Sequence, residues 1–514
     1  MHARDFLVSC SRLWYTSYRK PLALINRTIE VHMGTATQRT RTSLLTRFQA
    51  FFDAQDMTEG KPLKNLILFS IPLLIGNFAQ QLYSTVDSIV VGRYVGDNAL
   101  AAIGAAFPLL NLVLVLFIAI STGAGIIVSQ YFGAKDREQL SRAVGNATVL
   151  LLIVGIATTA IGLAVTRPML RLMGTPEVLY DMSSTYLLIL FCGTITMAYY
   201  NIVSGILRGM GDSVTPLLYL LVACGLNIVL DIWFVAHIGW GVAGVAVATV
   251  ISQAVSAVLC VRRLFRMRES LDISAKTLRL SAEHTKSLVR VGLPSGITQA
   301  VFSMAMVITQ SLTNSLGPIA VACSVVVMRV DGFAMLPNFT FGMAIATFVG
   351  QNIGANRMDR VKSGSRTAAI VSMSAALVLT TAILLFARTM FGWFTQTEML
   401  KDLGVRAIRT LAFGYLAMGV MQVYSGIMRG AGDTVTPMWI SLITSVVLRV
   451  PVAYLWAWLS RSPEWPNGSP DCLYFSLLIV WCVGALLNYV YYRKGDWQTK
   501  SVVGVRRELD KLAP

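Results

Sequence analysis

Runs of 18 or more apolar residues recur along the whole chain, separated by short polar loops. In the hydrocarbon core of a bilayer no water satisfies backbone N–H and C=O groups, so runs of this kind cross it as helices. About 20 residues suffice for one crossing, and the pattern predicts spans over 66–92, 98–130, 139–166, 181–207, 213–237, 241–261, 288–315, 319–350, 365–387, 404–428, 434–459 and 471–492. Composition agrees, because only 13% of the 514 residues are charged, against about 25% in a soluble domain. The expected fold is an all-α integral membrane protein with twelve transmembrane helices.

The net charge of +17 raises the question of a nucleic-acid partner, which the placement of the charges answers. Of 43 Lys and Arg, 33 fall on the side that holds both termini and eight on the other, while Arg329 and Arg449 lie inside spans. Arg208 and Arg429 are counted among the 33, in short loops. The positive-inside rule then makes both termini cytoplasmic and accounts for the charge with no nucleic acid involved. Residues 1–56 read as a basic cytoplasmic extension without a span. Because the span pattern begins just after Met57-Thr58-Glu59-Gly60, Met57 is expected to be the start, with the upstream stretch dispensable.

Seven cysteines and four histidines are scattered, with no HExxH, CxxC or GxxxxGK[ST] pattern. They support neither a disulfide framework, nor a resident metal or cofactor, nor an enzyme.

The chain contains an internal repeat. SGILRGMGDSVTP at 204–216 and SGIMRGAGDTVTP at 425–437 are identical at ten of thirteen positions, at an offset of 221. The same offset sets Gln130, Gly133 and Ala134 over Gln351, Gly354 and Ala355, and Gly96 over Gly317; one further residue sets Pro72 over Pro294. The expected organisation is an N-lobe of six helices over 57–261, a cytoplasmic linker over 262–287, a C-lobe of six helices over 288–492 and a cytoplasmic tail over 493–514. Six spans per copy preserve membrane orientation, so a pseudo-twofold axis along the membrane normal relates the two bundles. Such a pair encloses a cavity and suits alternating access. One chain completes it, so a monomer is expected.

Three carboxylates sit inside apolar spans, Asp87, Asp231 and Asp331, each costly unless paired, solvated or protonated. By helical rise, Asp87 lies about 7 Å and Asp231 about 9 Å from the outer ends of their spans. Asn227 is one turn before Asp231 and so shares its face, and Thr249 lies about 12 Å deep on the next helix. Asp87, Asn227, Asp231 and Thr249 therefore form a candidate cation-coupling site. It supplies hard oxygen ligands for a transient Na+, or a carboxylate pair able to carry a proton near neutral pH. A structural reading stands beside it: Asp87 capping a helix end and Asp231 bonding a neighbouring helix. In the second half, Arg329 and Asp331 in the eighth span and Arg449 in the eleventh form a candidate charge set, with Asp331 and Arg449 expected to pair across helices.

The RGxGDxVTP segments fall between spans, where the glycines end one helix and Asp212 or Asp433 caps the next. Aromatic residues within spans, Phe78, Tyr83, Tyr199, Tyr200, Phe333 and Tyr415 among them, are candidates to line a substrate cavity, with Trp233 a further one for stacking on a planar cation; core packing is the alternative for each.

Residues 57–495 resemble the multidrug and toxic compound extrusion (MATE) exporters. The resemblance rests on TEGKPLKNLILFSIPLLIGNFAQQLYSTVDSIVVGRYVG at 58–96, both RGxGDxVTP repeats, LNIVLD at 226–231 and GQNIGA at 350–355. Arg329-Val330-Asp331 and Leu448-Arg449-Val450-Pro451 are similar to the MepA-type bacterial branch. The resemblance implies a two-lobe antiporter in a bacterial inner membrane that expels amphipathic, often cationic, organic compounds in exchange for protons or sodium. It implies an N-lobe cation site at Asp87, Asn227, Asp231 and Thr249, and a helix-bending proline at Pro72. The seventh-helix glutamate of some members is absent, its places being taken by Phe302 and Ser303. The alternative within the superfamily is a flippase for lipid-linked precursors, which expects a strongly basic central cavity and often extra spans.

Overall fold

The computed structural model describes residues 54–504 apart from 275, 393, 394, 396 and 464. The expected 1–56 extension therefore falls outside the described residues up to position 53, and the tail beyond 504 does too.

Among the described residues every regular element is helical. The first half comprises α1 (Pro62–Tyr94), α2 (Asp97–Gly133), α3 (Arg137–Leu172), α4 (Glu177–Cys192), α5 (Thr194–Gly209), α6 (Val214–Asp231) and α7 (Gly241–Arg266). The second comprises α8 (Ala282–Ser315), α9 (Pro318–Gly354), α10 (Met358–Gly392), α11 (Glu398–Ala431), α12 (Val435–Leu442), α13 (Arg449–Leu459) and α14 (Asp471–Lys494). Among the described residues eleven segments are long and apolar enough to cross a membrane, and α4 with α5, bent by 52°, makes a twelfth if the pair is one span. The bend falls at Gly193, where a Cβ would lie 2.3 Å from Val250. Two crossings contain a π-helical stretch, Ile232–His237 after α6 and Ile443–Leu448 between α12 and α13. The helix α1 runs unbroken through Pro72.

The repeat is visible in the backbone. Gly96 and Gly317 (φ +108° and +101°), Gly211 and Gly432 (+92° and +98°), and Lys135 and Asn356 (+56° and +57°) are three pairs at the offset of 221. Both RGxGDxVTP turns use their aspartate as the motif predicts. Asp212 accepts the Thr215 amide at 2.9 Å and hydroxyl at 2.7 Å; Asp433 accepts the Thr436 amide at 3.1 Å and hydroxyl at 3.0 Å. These bonds satisfy donors that a helix start leaves unpaired.

Each half has its own buried apolar core, one around Phe117, Tyr131 and Ile206 and one around Phe391, Tyr415 and Trp481. A third core joins the halves, with Phe69 of α1, Phe348 of α9, Met57 and Trp497 all buried in it. Large apolar side chains that face outward, such as Ile161, Val307, Val378 and Leu385, suit contact with lipid tails. Between the halves, α2 approaches α8 and α9 closely enough that a Cβ on Gly123 would lie 2.9 Å from Gly292 Cα, and one on Gly133 1.9 Å from the Gln351 carbonyl. Small residues permit that approach.

Candidate functional site

Near the end of α1 remote from the chain termini, the side chains of Asp87, Asn227 and Asp231 meet. Asp231, the last residue of α6, and Asn227, one turn earlier, are both 0% exposed. With its amide nitrogen toward the carboxylates, Asn227 donates to Asp87 Oδ1 at 2.8 Å and to Asp231 Oδ2 at 3.0 Å. Asn227 thereby joins the two carboxyl groups, which face each other across the α1–α6 contact. Asp231 Oδ1 is buried with no hydrogen-bond partner among the described residues. The chain leaves α6 immediately afterwards in a π-helical stretch, a distortion that tends to occur at functional sites.

Thr249 reaches this cluster through an intermediary. The Tyr83 hydroxyl donates to Thr249 Oγ1 at 3.3 Å and faces the Asp87 carboxyl. Tyr83, expected in a substrate cavity, thus borders the acidic pair; its spacing of four residues from Asp87 was the available signal. Buried Tyr186 also faces both carboxylates, and nothing in the sequence singled it out.

The charges of the second half are arranged differently from expectation. Asp331 and Arg449 interact electrostatically but form no ion pair within 4 Å; Asp331 instead accepts a hydrogen bond from the Tyr415 hydroxyl. Arg329, two residues from Asp331, is exposed, because a two-residue step on a helix points to the opposite side. Ser303 accepts from Asn111 Nδ2 at 3.2 Å, tying α8 to α2.

A cavity of about 360 Å³ lies between the halves. None of the six aromatic residues expected there lines it; the aromatic walls are Phe69, Phe302, Phe339 and Trp481. Phe78 and Phe333 pack against each other at 5.9 Å, Tyr199 donates to the Thr148 carbonyl at 3.3 Å, and Tyr200 is buried in the first core. Helical phase decides this, since the apolar runs show no strong polar face from which to read it. Arg208 and Arg429, read from sequence as loop residues, line the cavity together with Arg449, and the lining contains no Asp or Glu.

Below the cavity, toward the chain termini, two glutamines close the seam. Gln130 Nε2 donates to the Gly430 carbonyl at 3.0 Å, and Gln351 Nε2 donates to the Gly209 carbonyl at 3.0 Å. Their carbonyl oxygens accept terminal segments, Val502 N on Gln130 at 2.8 Å and Met57 N on Gln351 at 2.9 Å. The two glutamines and the two carbonyls that accept from them are related by the offset of 221, so this part of the closure is symmetric, while the terminal segments that bond them are not. The sequence marked Gln130 and Gln351 only as repeat positions.

Two homologous six-span helical bundles, sealed together at one face and enclosing a cavity with a separate acidic cluster in one bundle, define a polytopic membrane transporter. Comparison with known proteins agrees. The MatE family model matches residues 72–233 and 294–455, once in each half, and the chain belongs to this family of efflux transporters. It is 31% identical over 447 residues to the probable multidrug resistance protein YpnP of Bacillus subtilis (strain 168), covering 87% of this chain and 98% of that one. It is 30% identical over 453 residues to the probable multidrug resistance protein YoeA of the same organism, covering 85% and 95%. Among solved structures, the outward-facing conformation of a multidrug resistance MATE family transporter of the MOP superfamily superposes with a TM-score of 0.79 at 26% identity, over 85% of this chain and 96% of that one.

Proposed function

We propose that this chain is a secondary active multidrug efflux antiporter that exchanges amphipathic organic compounds for protons or sodium by alternating access. In this reading the lobes at 57–261 and 288–492 rock about the seam, and Asp87, Asn227, Asp231 and Thr249 form the coupling site. The observation that carries it is the buried Asp87–Asn227–Asp231 cluster. It sits apart from the cavity, so an ion bound there changes the energies of the two states without occupying the substrate's place. The glutamine closure at the face of the termini fits a state open on the other side. The positive-inside asymmetry supports cytoplasmic termini, the family supports a bacterial inner membrane, and Pro72 is the expected bending point of α1. The names of the relatives support drug efflux over the flippase reading, although the cavity is more basic than the sequence indicates.

The test is efflux of a fluorescent organic amphipath from proteoliposomes under an imposed proton gradient, then a sodium gradient. One ion should drive it in the wild type, and Asp87→Asn and Asp231→Asn should each lower the driven rate by at least tenfold while the protein stays folded. Undiminished driven efflux in both variants removes the coupling site from this cluster.

A further inference from the structure

The cavity is lined by Arg208, Arg429 and Arg449 and by no acidic residue. Among the described residues none of the three guanidinium groups is in an ion pair within 4 Å. Arg449 is 7% exposed and its Nε is buried without a hydrogen-bond partner. The acidic group that it feels, Asp331, lies outside the lining and already accepts the Tyr415 hydroxyl. Unpaired cations in a membrane interior are strongly unfavourable, and three around one cavity repel each other as well. Arg208 and Arg429 are repeat partners, so the two halves each present one guanidinium from equivalent positions. A guanidinium is a planar fork of donors that matches carboxylate, sulfonate and phosphate oxygens.

We propose that the central cavity binds an amphipathic organic anion, its acidic group held by Arg208, Arg429 and Arg449 and its apolar body lying against Phe69, Phe302 and Phe339. The acidic group is a sulfonate, carboxylate or phosphate, carried either by a free compound or by a lipid. The inference names the substrate class of the transport reading and rests on that reading only for the step that moves the ligand. It also changes the charge balance. Exporting one monoanion for one imported proton moves two positive charges inward, whereas exporting a monovalent cation for a proton moves none, so an inside-negative potential accelerates only the first exchange.

The experiment is equilibrium binding of two probes with one apolar body, pyrene-1-sulfonate and pyren-1-ylmethylammonium, to the full chain in nanodiscs. In phosphatidylcholine discs the sulfonate should bind at least tenfold more tightly. Arg429→Gln should weaken it by fivefold or more and leave the ammonium unweakened, while Arg429→Lys, which keeps the charge, should retain most of the preference. Added phosphatidylglycerol that competes with the sulfonate in the wild type, but not in Arg429→Gln, identifies a lipid as the source of the anion; indifference to phosphatidylglycerol identifies a free amphipath. Equal or tighter binding of the ammonium by the wild type overturns the proposal, whether or not the glutamine variant folds, and so does a preference that survives in folded Arg429→Gln. Sulfonate binding without ion-driven movement leaves the cavity inference standing and removes the antiport; ion-driven ammonium efflux without sulfonate binding does the reverse.

Discussion

Tyr83 shows how one hydroxyl links groups that the sequence separates by 162 positions. It bonds Thr249 on α7 and stands beside Asp87 on α1, so its removal disconnects Thr249 from the acidic pair. A hydrogen bond between two neutral groups, such as that from Tyr83 to Thr249, contributes about 0.5–1.5 kcal/mol. Tyr83→Phe should therefore raise the half-maximal concentration of the driving ion by about fivefold, with the melting temperature changed by only a few degrees. Unaltered ion dependence in that variant would place Tyr83 outside the coupling chemistry. Asn227 and Asp231 were legible at this scale, because an amide one turn before a buried carboxylate shares its face. Tyr186 was not, because a tyrosine in an apolar run has no local mark of the distant carboxylates it faces.

At the scale of the element, the inter-span turns depend on glycines that stand in the left-handed region. A Cβ on Gly211 would lie 2.1 Å from the Gln55 carbonyl oxygen, whereas one on Gly96 would meet nothing within 4 Å. Positive φ alone costs an alanine about 1–2 kcal/mol, and contact with a backbone atom adds to that. Both Gly96→Ala and Gly211→Ala should lower thermal stability in detergent, Gly211→Ala by clearly more; equal losses would show that the backbone around Gln55 yields freely. The sequence supplied these turns through the repeated glycine-aspartate pattern. It could not supply the 52° bend at Gly193 or the π-helical stretches, because these arise where one helix must fit the side of another, as Gly193 does against Val250.

Across the whole molecule, closure rests on Gln130 and Gln351, whose four shortest hydrogen bonds, all 3.0 Å or less, tie the two halves and both terminal segments together. At about 1 kcal/mol net for each buried neutral bond, their loss shifts the balance toward opening at this face by up to roughly a thousandfold. Ser425, which lines the cavity, is a suitable reporter position. In Ser425→Cys protein a charged maleimide applied from the face of the termini should label slowly, and Gln130→Ala with Gln351→Ala should speed labelling by at least tenfold. No acceleration would show that the apolar seam closes this face without the glutamines.

The sequence by itself determined the number of spans, the duplicated architecture, the family and the residues of the acidic cluster, because these follow from apolar run length, from an offset of 221 and from helical spacing. Tertiary structure alone decided which side chains line the cavity and that three arginines stand there without acids. It also decided that Asp331 bonds Tyr415 and that Gln130 and Gln351 close the seam. The physical reason is common to all four. Each depends on the rotation of one helix about its axis relative to its neighbours, and apolar runs that face lipid on one side and protein on the other carry too little polar asymmetry to fix that rotation.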